Sequence, residues 1–266
     1  THTLSRLSDL QKWHDWAKSL ASSVGSTFVD LDNGPDSTLL CREIKWLMED
    51  AIEEESEGME NNQRSIRLRV ALEELYMLWK QRVEERRPFQ YVVGCEHWRD
   101  LVLCVQEGVL IPRPETELIV DLVGLREGLW ADLGTGSGAI AIGIGRILGT
   151  GGRVIATDLS PAAIEVAGFN VQRYGLQDVV ELRQGSWLEP LKDMEGKLAG
   201  LVSNPPYIPS DDISGLQLKF ADMNPKLHWM TNGEKQCKHL VEYMENDAGG
   251  NFCNLKIVPD FAGFHK

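Results

Sequence analysis

The sequence predicts an α/β fold in which a small helical domain precedes a doubly wound parallel sheet. Three observations point to it: apolar residues at helical spacing through the first third of the chain, short apolar runs alternating with helical stretches after that, and a glycine-rich turn directly behind the first of those runs. In residues 1–88, Leu7, Leu10, Trp13 and Leu20 recur at helix-like intervals, as do Leu39, Ile44 and Leu47, and then Ile66, Val70, Leu75, Leu78, Trp79 and Val83. No stretch there reads as a strand, so a helical domain is expected over 1–88. NGPDS at 33–37 supplies a turn and a helix cap. YVVG, DLVLCV and GVLIP, between residues 91 and 112, are short β-like runs, so residues 89–117 are expected to form a linking β-hairpin.

The α/β domain is expected over 118–266. WADLG (130–134) passes into GTGSG and the helical AIAIGIGRIL, and RVIATDLS (153–160) is followed by the helical PAAIEVAGFNVQRYG. VVELRQGSW (179–187) and LAGLVSNPPY (198–207) supply two more strands. Strands alternating with helices imply a parallel sheet that binds ligands beyond the carboxyl ends of its strands. Beyond the fourth strand the pattern falters: residues 210–233 hold no β-branched apolar run, and only the helix EKQCKHLVEYMEN and the strand NLKIVPDF follow, for five clear strands in all.

With 42% hydrophobic and 25% charged residues among 266, the composition suits a soluble protein with a sizeable core. No apolar run approaches ~20 residues, so no membrane span is expected. No secretory segment opens the chain, which starts at Thr1 and leaves room for an upstream segment that has been removed. Cys41, Cys95, Cys104, Cys237 and Cys253 are odd in number and lack C-x-x-C spacing, which argues against a disulfide framework or a zinc site and for a reducing compartment. The net charge of −13, from 40 acids and 27 bases, disfavours a nucleic-acid partner and favours a protein one. The acidic cluster EDAIEEESEGME (49–60) reads as a solvated helix end and loop.

Gly134, Thr135, Gly136, Ser137 and Gly138 lie between a strand and a helix, where glycines let the backbone turn tightly and approach a ligand. The run satisfies G-x-G-x-x-A, with Asp158 at the end of the next strand ready to hold a ribose, so either a nicotinamide dinucleotide or S-adenosylmethionine (SAM) fits. VSNPPYIP at 202–209 separates the two. Asn204 should end a strand beside the first one, facing the same cleft, and Pro206 leaves the carbonyl of Pro205 fixed in direction without a neighbouring N–H. An Asn oxygen and a rigid carbonyl are two acceptors suited to the two hydrogens of an NH2 group, and Tyr207 offers a ring face to a planar amide or base. Hydride transfer needs no such clamp. An amide nitrogen held in line with a sulfonium methyl is in attacking geometry, and its proton can leave after the methyl arrives, so no catalytic His or Cys and no metal are expected.

Asn-Pro-Pro-Tyr after DLGTGSG resembles the SAM-dependent amino-methyltransferases, and PFQYVVG (88–94) with GVLIPRPETELIVD (108–121) is similar to the signature of the peptide-chain release factor glutamine methyltransferases. The likeness covers about residues 66–209 and returns at TNGEKQ and IVPDFAGF. It implies a Rossmann-like SAM-dependent methyltransferase sheet with an N-terminal helical substrate-recognition domain, a soluble enzyme, and methylation of the side-chain nitrogen (N5) of the glutamine in a release factor's Gly-Gly-Gln loop. By the same resemblance Gly134–Gly138 line the methionine part of SAM, Asp158 takes the ribose hydroxyls, Trp187 packs near the adenine, and Asn204, Pro205, Pro206 and Tyr207 hold the glutamine amide. Arg113 and Glu115 to Glu117 shape the cofactor entrance or the domain junction, or cap the next helix. An organelle, chloroplast or mitochondrion, is the preferred compartment.

The sequence departs from the family after NPPYIP. Asn224-Pro225-Lys226-Leu227 is the only remnant of a longer family segment, an apparent internal deletion that removes one strand and the helix before it. Unless another segment pairs with it, the strand carrying Asn204 then has unpaired backbone groups on one side, so weakened cofactor binding is expected. An amino-methyltransferase of a nucleic acid and a catalytically impaired relative acting only as a binding protein are the alternatives.

Overall fold

The computed structural model describes residues 3–55, 65–123, 127–194 and 197–204. Two units divide the chain, Thr1–Gly94 and Cys95–Lys266.

The first unit is built on α1 (Leu7–Val24), α2 (Thr27–Asp32), α3 (Ser37–Ala51), α4 (Leu72–Val83) and α5 (Phe89–Val93). Leu10, Trp13, Ala17, Ala21 and Val24 fall on one buried stripe of α1, and Leu40, Ile44, Leu47 and Ala51 on the matching stripe of α3. Trp79 of α4 is fully buried and donates its indole N–H to the carbonyl of Ala17 at 3.1 Å, which fixes α4 against α1. Asp36 caps α3 by accepting the N–H of Leu39 at 2.7 Å, as the NGPDS stretch predicts. An ion pair lies inside this core: the Arg82 guanidinium grips both carboxylate oxygens of Glu43, at 2.7 and 2.9 Å.

Two expectations fail in this unit. It is not purely helical, because β1 (Thr3–Arg6), β2 (Ile52–Glu55) and β3 (Ser65–Leu68) form an antiparallel sheet in the order β1-β3-β2. Each strand is four residues long, and Thr3 pairs with Leu68, so neither length nor local pattern announces them. YVVG is not a strand either: its Tyr91 to Val93 close α5, which Gly94 ends at a φ of 74°. Val92 joins the helical core.

The second unit opens with the hairpin β4 (Cys95–Trp98) and β5 (Leu101–Cys104), turned by Arg99 and Asp100. GVLIP adds no strand; its Val109 packs instead on Ala163 and Val166. After α6 (Glu117–Val123) come β6 (Gly128–Leu133), α7 (Ala139–Leu148), β7 (Gly152–Asp158), α8 (Pro161–Arg173), β8 (Val180–Gln184) and β9 (Leu198–Ser203). The four later strands form one parallel sheet in the order β8-β7-β6-β9, the α/β arrangement expected. Alternation along the strands sorts the core. Trp130, Val154, Ala156 and Val202 pack with α6, α7 and the hairpin, whereas Ala131, Leu133, Ile155 and Leu201 pack with Leu191. α7 is apolar nearly all round and buried accordingly, and a Cβ at Gly143 would stand 2.8 Å from a Val120 methyl, so only glycine permits this crossing with α6.

The hairpin is fastened to α8 by side chains. The Tyr174 hydroxyl, one residue past α8, accepts the N–H of Val102 at 2.6 Å and donates to its carbonyl at 3.1 Å. The Asn170 amide does the same for Cys104, accepting its N–H at 2.7 Å and donating to its carbonyl at 3.0 Å. Four residues along a helix advance about 6 Å and two along a strand about 6.7 Å, so the two spacings match and each side chain meets one outward-facing backbone pair.

The predicted helix at 234–246, the predicted strand at 254–261 and the segment judged missing after Leu227 lie outside the described residues. Among the described residues no helix is long and apolar enough to cross a membrane.

Replacing Arg82 with Met leaves a buried carboxylate without its cation and is expected to lower the unfolding free energy by about 3–5 kcal/mol, measured by urea denaturation. The double variant Glu43→Leu/Arg82→Met is expected to regain most of the loss. A double variant as unstable as the single one would rule out the stranded charge as its cause.

Candidate active site

Three strand ends define the site. In the register of the sheet Leu133 lies level with Thr157 on one side and Ser203 on the other, so the next residues along the three strands, Gly134, Asp158 and Asn204, come at one level. Strands stand about 4.8 Å apart, which puts the backbones of Asp158 and Asn204 roughly 10 Å from each other across the glycine loop. The carbonyl of Thr157 accepts the N–H groups of both Gly134 and Thr135, each at 2.9 Å, and starts the turn. Ser203 donates its hydroxyl to the Leu133 carbonyl at 2.9 Å, holding the end of β9 against β6.

The three glycines serve two purposes. All have positive φ, 72° at Gly134, 57° at Gly136 and 83° at Gly138, where a side chain would be strained. A Cβ on Gly134 or Gly136 would enter open space, so those two keep a cradle clear; one on Gly138 would come within 3.2 Å of Ala167 Cβ, so that glycine allows α7 to pass close to α8. Of the five loop residues, Gly134 is exposed, Gly136 half-buried, and Thr135, Ser137 and Gly138 are buried.

Asp158 stands beside the loop as expected and is also part of its framework. One carboxylate oxygen accepts the N–H of Gly136 at 2.9 Å, and the other accepts that of Ser160 at 2.8 Å. Each oxygen keeps a second lone pair for another donor. Half-buried Trp187 follows β8 at a φ of 46° and packs on the sheet face lined by Ala131, Leu133 and Ile155. A non-glycine residue in that region costs on the order of 1–3 kcal/mol and is held there by its surroundings. Asn204 is half-buried at the end of β9; Pro205, Pro206 and Tyr207 lie outside the described residues. The 113–117 run is used structurally: the Arg113 carbonyl accepts the Trp98 indole N–H at 2.8 Å and the Thr116 hydroxyl at 2.6 Å, while Glu117 accepts the Arg99 N–H at 3.2 Å.

Two further residues hold the loop without having been singled out from the sequence. Asn170 uses its remaining amide hydrogen on the Ser137 carbonyl at 2.8 Å, so one buried side chain joins the loop to β5. A signal for it exists: Asn170 falls on the buried stripe of α8 with Ala163, Val166, Ala167 and Val171, where a polar group must find partners. Asp132 of β6 is fully buried, and one of its oxygens accepts the Thr135 hydroxyl at 2.7 Å and the Ala141 N–H at 3.2 Å; the other has no partner among the described residues. Burial pushes its carboxyl up to about 7; the bonds from Thr135 and Ala141 pull it down, and the charge of Asp158 pushes it up.

Residues 130–200 match the family model described as a methyltransferase domain, which sets the class of this unit. The chain is 42% identical over 185 residues to the release factor glutamine methyltransferase of Thermosynechococcus vestitus, covering 66% of this chain and 63% of that one. To the release factor glutamine methyltransferase of Bacillus subtilis it is 33% identical over 203 residues, covering 71% and 69%. Among solved structures, an RNA methyltransferase from Salinibacter ruber in complex with S-adenosyl-L-homocysteine is 27% identical and aligns with 40% of this chain and 65% of that one, at a TM-score of 0.32. The chain belongs to the release factor glutamine methyltransferase family. It spans 63%, 58% and 51% of the length of the relatives from Thermosynechococcus vestitus, Synechocystis and Gloeobacter violaceus.

Asp132 binds its proton more tightly folded than unfolded, because its carboxyl is raised from 3.8 to about 7. Between those values the folded chain therefore holds more protons, and stability falls as pH rises, by up to roughly 1.4 kcal/mol per pH unit. Asp132→Asn removes this titration. Urea denaturation from about pH 4 to about pH 8 is expected to shift the balance steadily in favour of the variant; parallel stability curves would refute the assignment.

Proposed function

We propose that the chain transfers a methyl group from SAM to the side-chain amide nitrogen (N5) of the glutamine in the Gly-Gly-Gln loop of a peptide-chain release factor. The observation that carries this is the shared level of Gly134, Asp158 and Asn204 at the ends of three adjacent parallel strands, in a chain of this family. SAM fits the residues present: the open space over Gly134 and Gly136 suits a ligand lying against backbone, and the Asp158 carboxylate has lone pairs left for ribose hydroxyls. Gly134, Thr135, Gly136, Ser137 and Gly138 would line its methionine part, Asp158 its ribose, and Trp187 its adenine. When bound, SAM supplies a methyl group on a sulfonium, activated toward a nucleophile.

The chain's own contribution is orientation. Asn204 Oδ1 and the Pro205 carbonyl accept the two hydrogens of the substrate amide, Pro206 fixes the backbone behind them, and the Tyr207 ring lies against the amide plane. Acceptors on both hydrogens draw electron density toward nitrogen as it becomes positive, so the protein favours the transition state without a strong base. The first unit, Thr1–Gly94, recognises the release factor, and the second, Cys95–Lys266, carries the methyl transfer. No nucleic acid is a direct partner in this reading, which fits the net charge of −13. The compartment is an organelle, and the cyanobacterial origin of the relatives at 42% identity favours the chloroplast.

Purified chain, labelled SAM and a release factor test the reading directly. Methylation of the Gly-Gly-Gln glutamine is expected from the native chain, and Asn204→Ala is expected to lower kcat by about 10²–10³-fold. An unaffected Asn204→Ala rate would remove the amide clamp. Failure of the native chain to bind SAM in calorimetry would remove the activity altogether.

A further inference from the structure

The β4–β5 register sets Cys95 directly opposite Cys104. Directly opposed residues of an antiparallel pair project their side chains from the same face. Such pairs are of two kinds, and the backbone of Cys104 shows which this is. Its N–H and carbonyl are both taken by Asn170 on α8, so they point away from β4. The same holds two residues earlier, where Tyr174 takes both groups of Val102. Cys95 and Cys104 are therefore a non-hydrogen-bonded pair, with Cα atoms about 4.5 Å apart and side chains at their closest. A disulfide needs Cα atoms roughly 4.4–6.8 Å apart. Both residues are thiols and half-buried.

We propose that Cys95 and Cys104 are a redox modification site, a dithiol that closes to a reversible intramolecular disulfide by exchange with a disulfide oxidant, either oxidised glutathione or an oxidised dithiol protein. The Cys95 thiolate attacks one sulfur of the oxidant, whose S–S bond breaks and releases one thiolate, leaving a mixed disulfide on Cys95. Cys104 then gives up its proton and attacks the Cys95 sulfur; the Cys95–Cys104 bond forms and the second oxidant thiolate leaves. The two thiol protons end on the two oxidant thiolates, and the protein has lost two electrons. Burial pushes the Cys104 thiol up, partly offset by the Arg173 charge, which suits it to the second, intramolecular step. The bond would close the open end of a hairpin whose other end is the Arg99–Asp100 turn. It would lie next to the Asn170 amide that holds Ser137 of the glycine loop.

Arg99 makes the test sharp, because trypsin cuts after it and places the two cysteines on separate peptides. The full chain is equilibrated with oxidised glutathione, its remaining thiols are alkylated, and the digest is read by mass spectrometry. The expected result is a linked pair of peptides, one ending at Arg99 and one beginning at Asp100, that separates on adding dithiothreitol, together with loss of alkylation at both cysteines. Both cysteines alkylated, each capped by glutathione, or either linked to another cysteine or another chain would overturn the proposal. In Cys104→Ser, Cys95 is expected to stop at the glutathione adduct; an unmodified Cys95 there would remove the order of steps and, with it, the exchange route.

Discussion

A buried amide cannot turn to water, so both of its hydrogens and its oxygen must find protein partners, and Asn170 finds them on two segments at once. Its oxygen and one hydrogen take the backbone of Cys104, and its other hydrogen takes the carbonyl of Ser137. This places the hairpin, the glycine loop and α8 in one polar contact at the head of the sheet. The same loop is held from below by Asp132 through Thr135 and from the side by Asp158 through Gly136. A loop that makes few contacts of its own is thereby given a single shape, with its open side clear at Gly134 and Gly136.

The sheet makes that shape useful. β6 lies between β7 and β9, so the loop behind it has a carboxylate on one side and an amide on the other. The two flanking residues do different work. Asp158 ties the loop to the start of α8, one carboxylate oxygen accepting the N–H of Gly136 and the other that of Ser160, and each oxygen keeps a second lone pair. Asn204 is half-buried where β9 ends, one position past the Ser203 hydroxyl bond that holds that strand to β6.

Much of this was legible in advance because the informative residues cluster. β6, β7 and β9 are largely apolar runs that pass into glycine, aspartate or asparagine, and the alternation with helices specifies a parallel sheet and its binding end. What was missed depends on distant partners. Thr3 pairs with Leu68, and strands of four residues such as TLSR carry too little pattern to be seen alone. YVVG is apolar enough for a strand or a helix, and packing of Val92 in the helical core decides it. Asp132 reads as one more strand residue in DLGTGSG until the fold brings Ala141 over it. Eight residues stand between Cys95 and Cys104, and only the hairpin register brings the two together.

The way α8 meets β5 has a consequence for how the protein behaves in company. A strand at the rim of a sheet or hairpin normally exposes backbone groups to which a strand of another molecule can zip itself. At Val102 and Cys104 those groups are already taken by a phenol and an amide from the same chain. Side chains act there as a selvedge: they finish the fabric with a border that cannot be sewn onto, and the hairpin needs no charged guard residues at those positions to stay out of intermolecular β-structure.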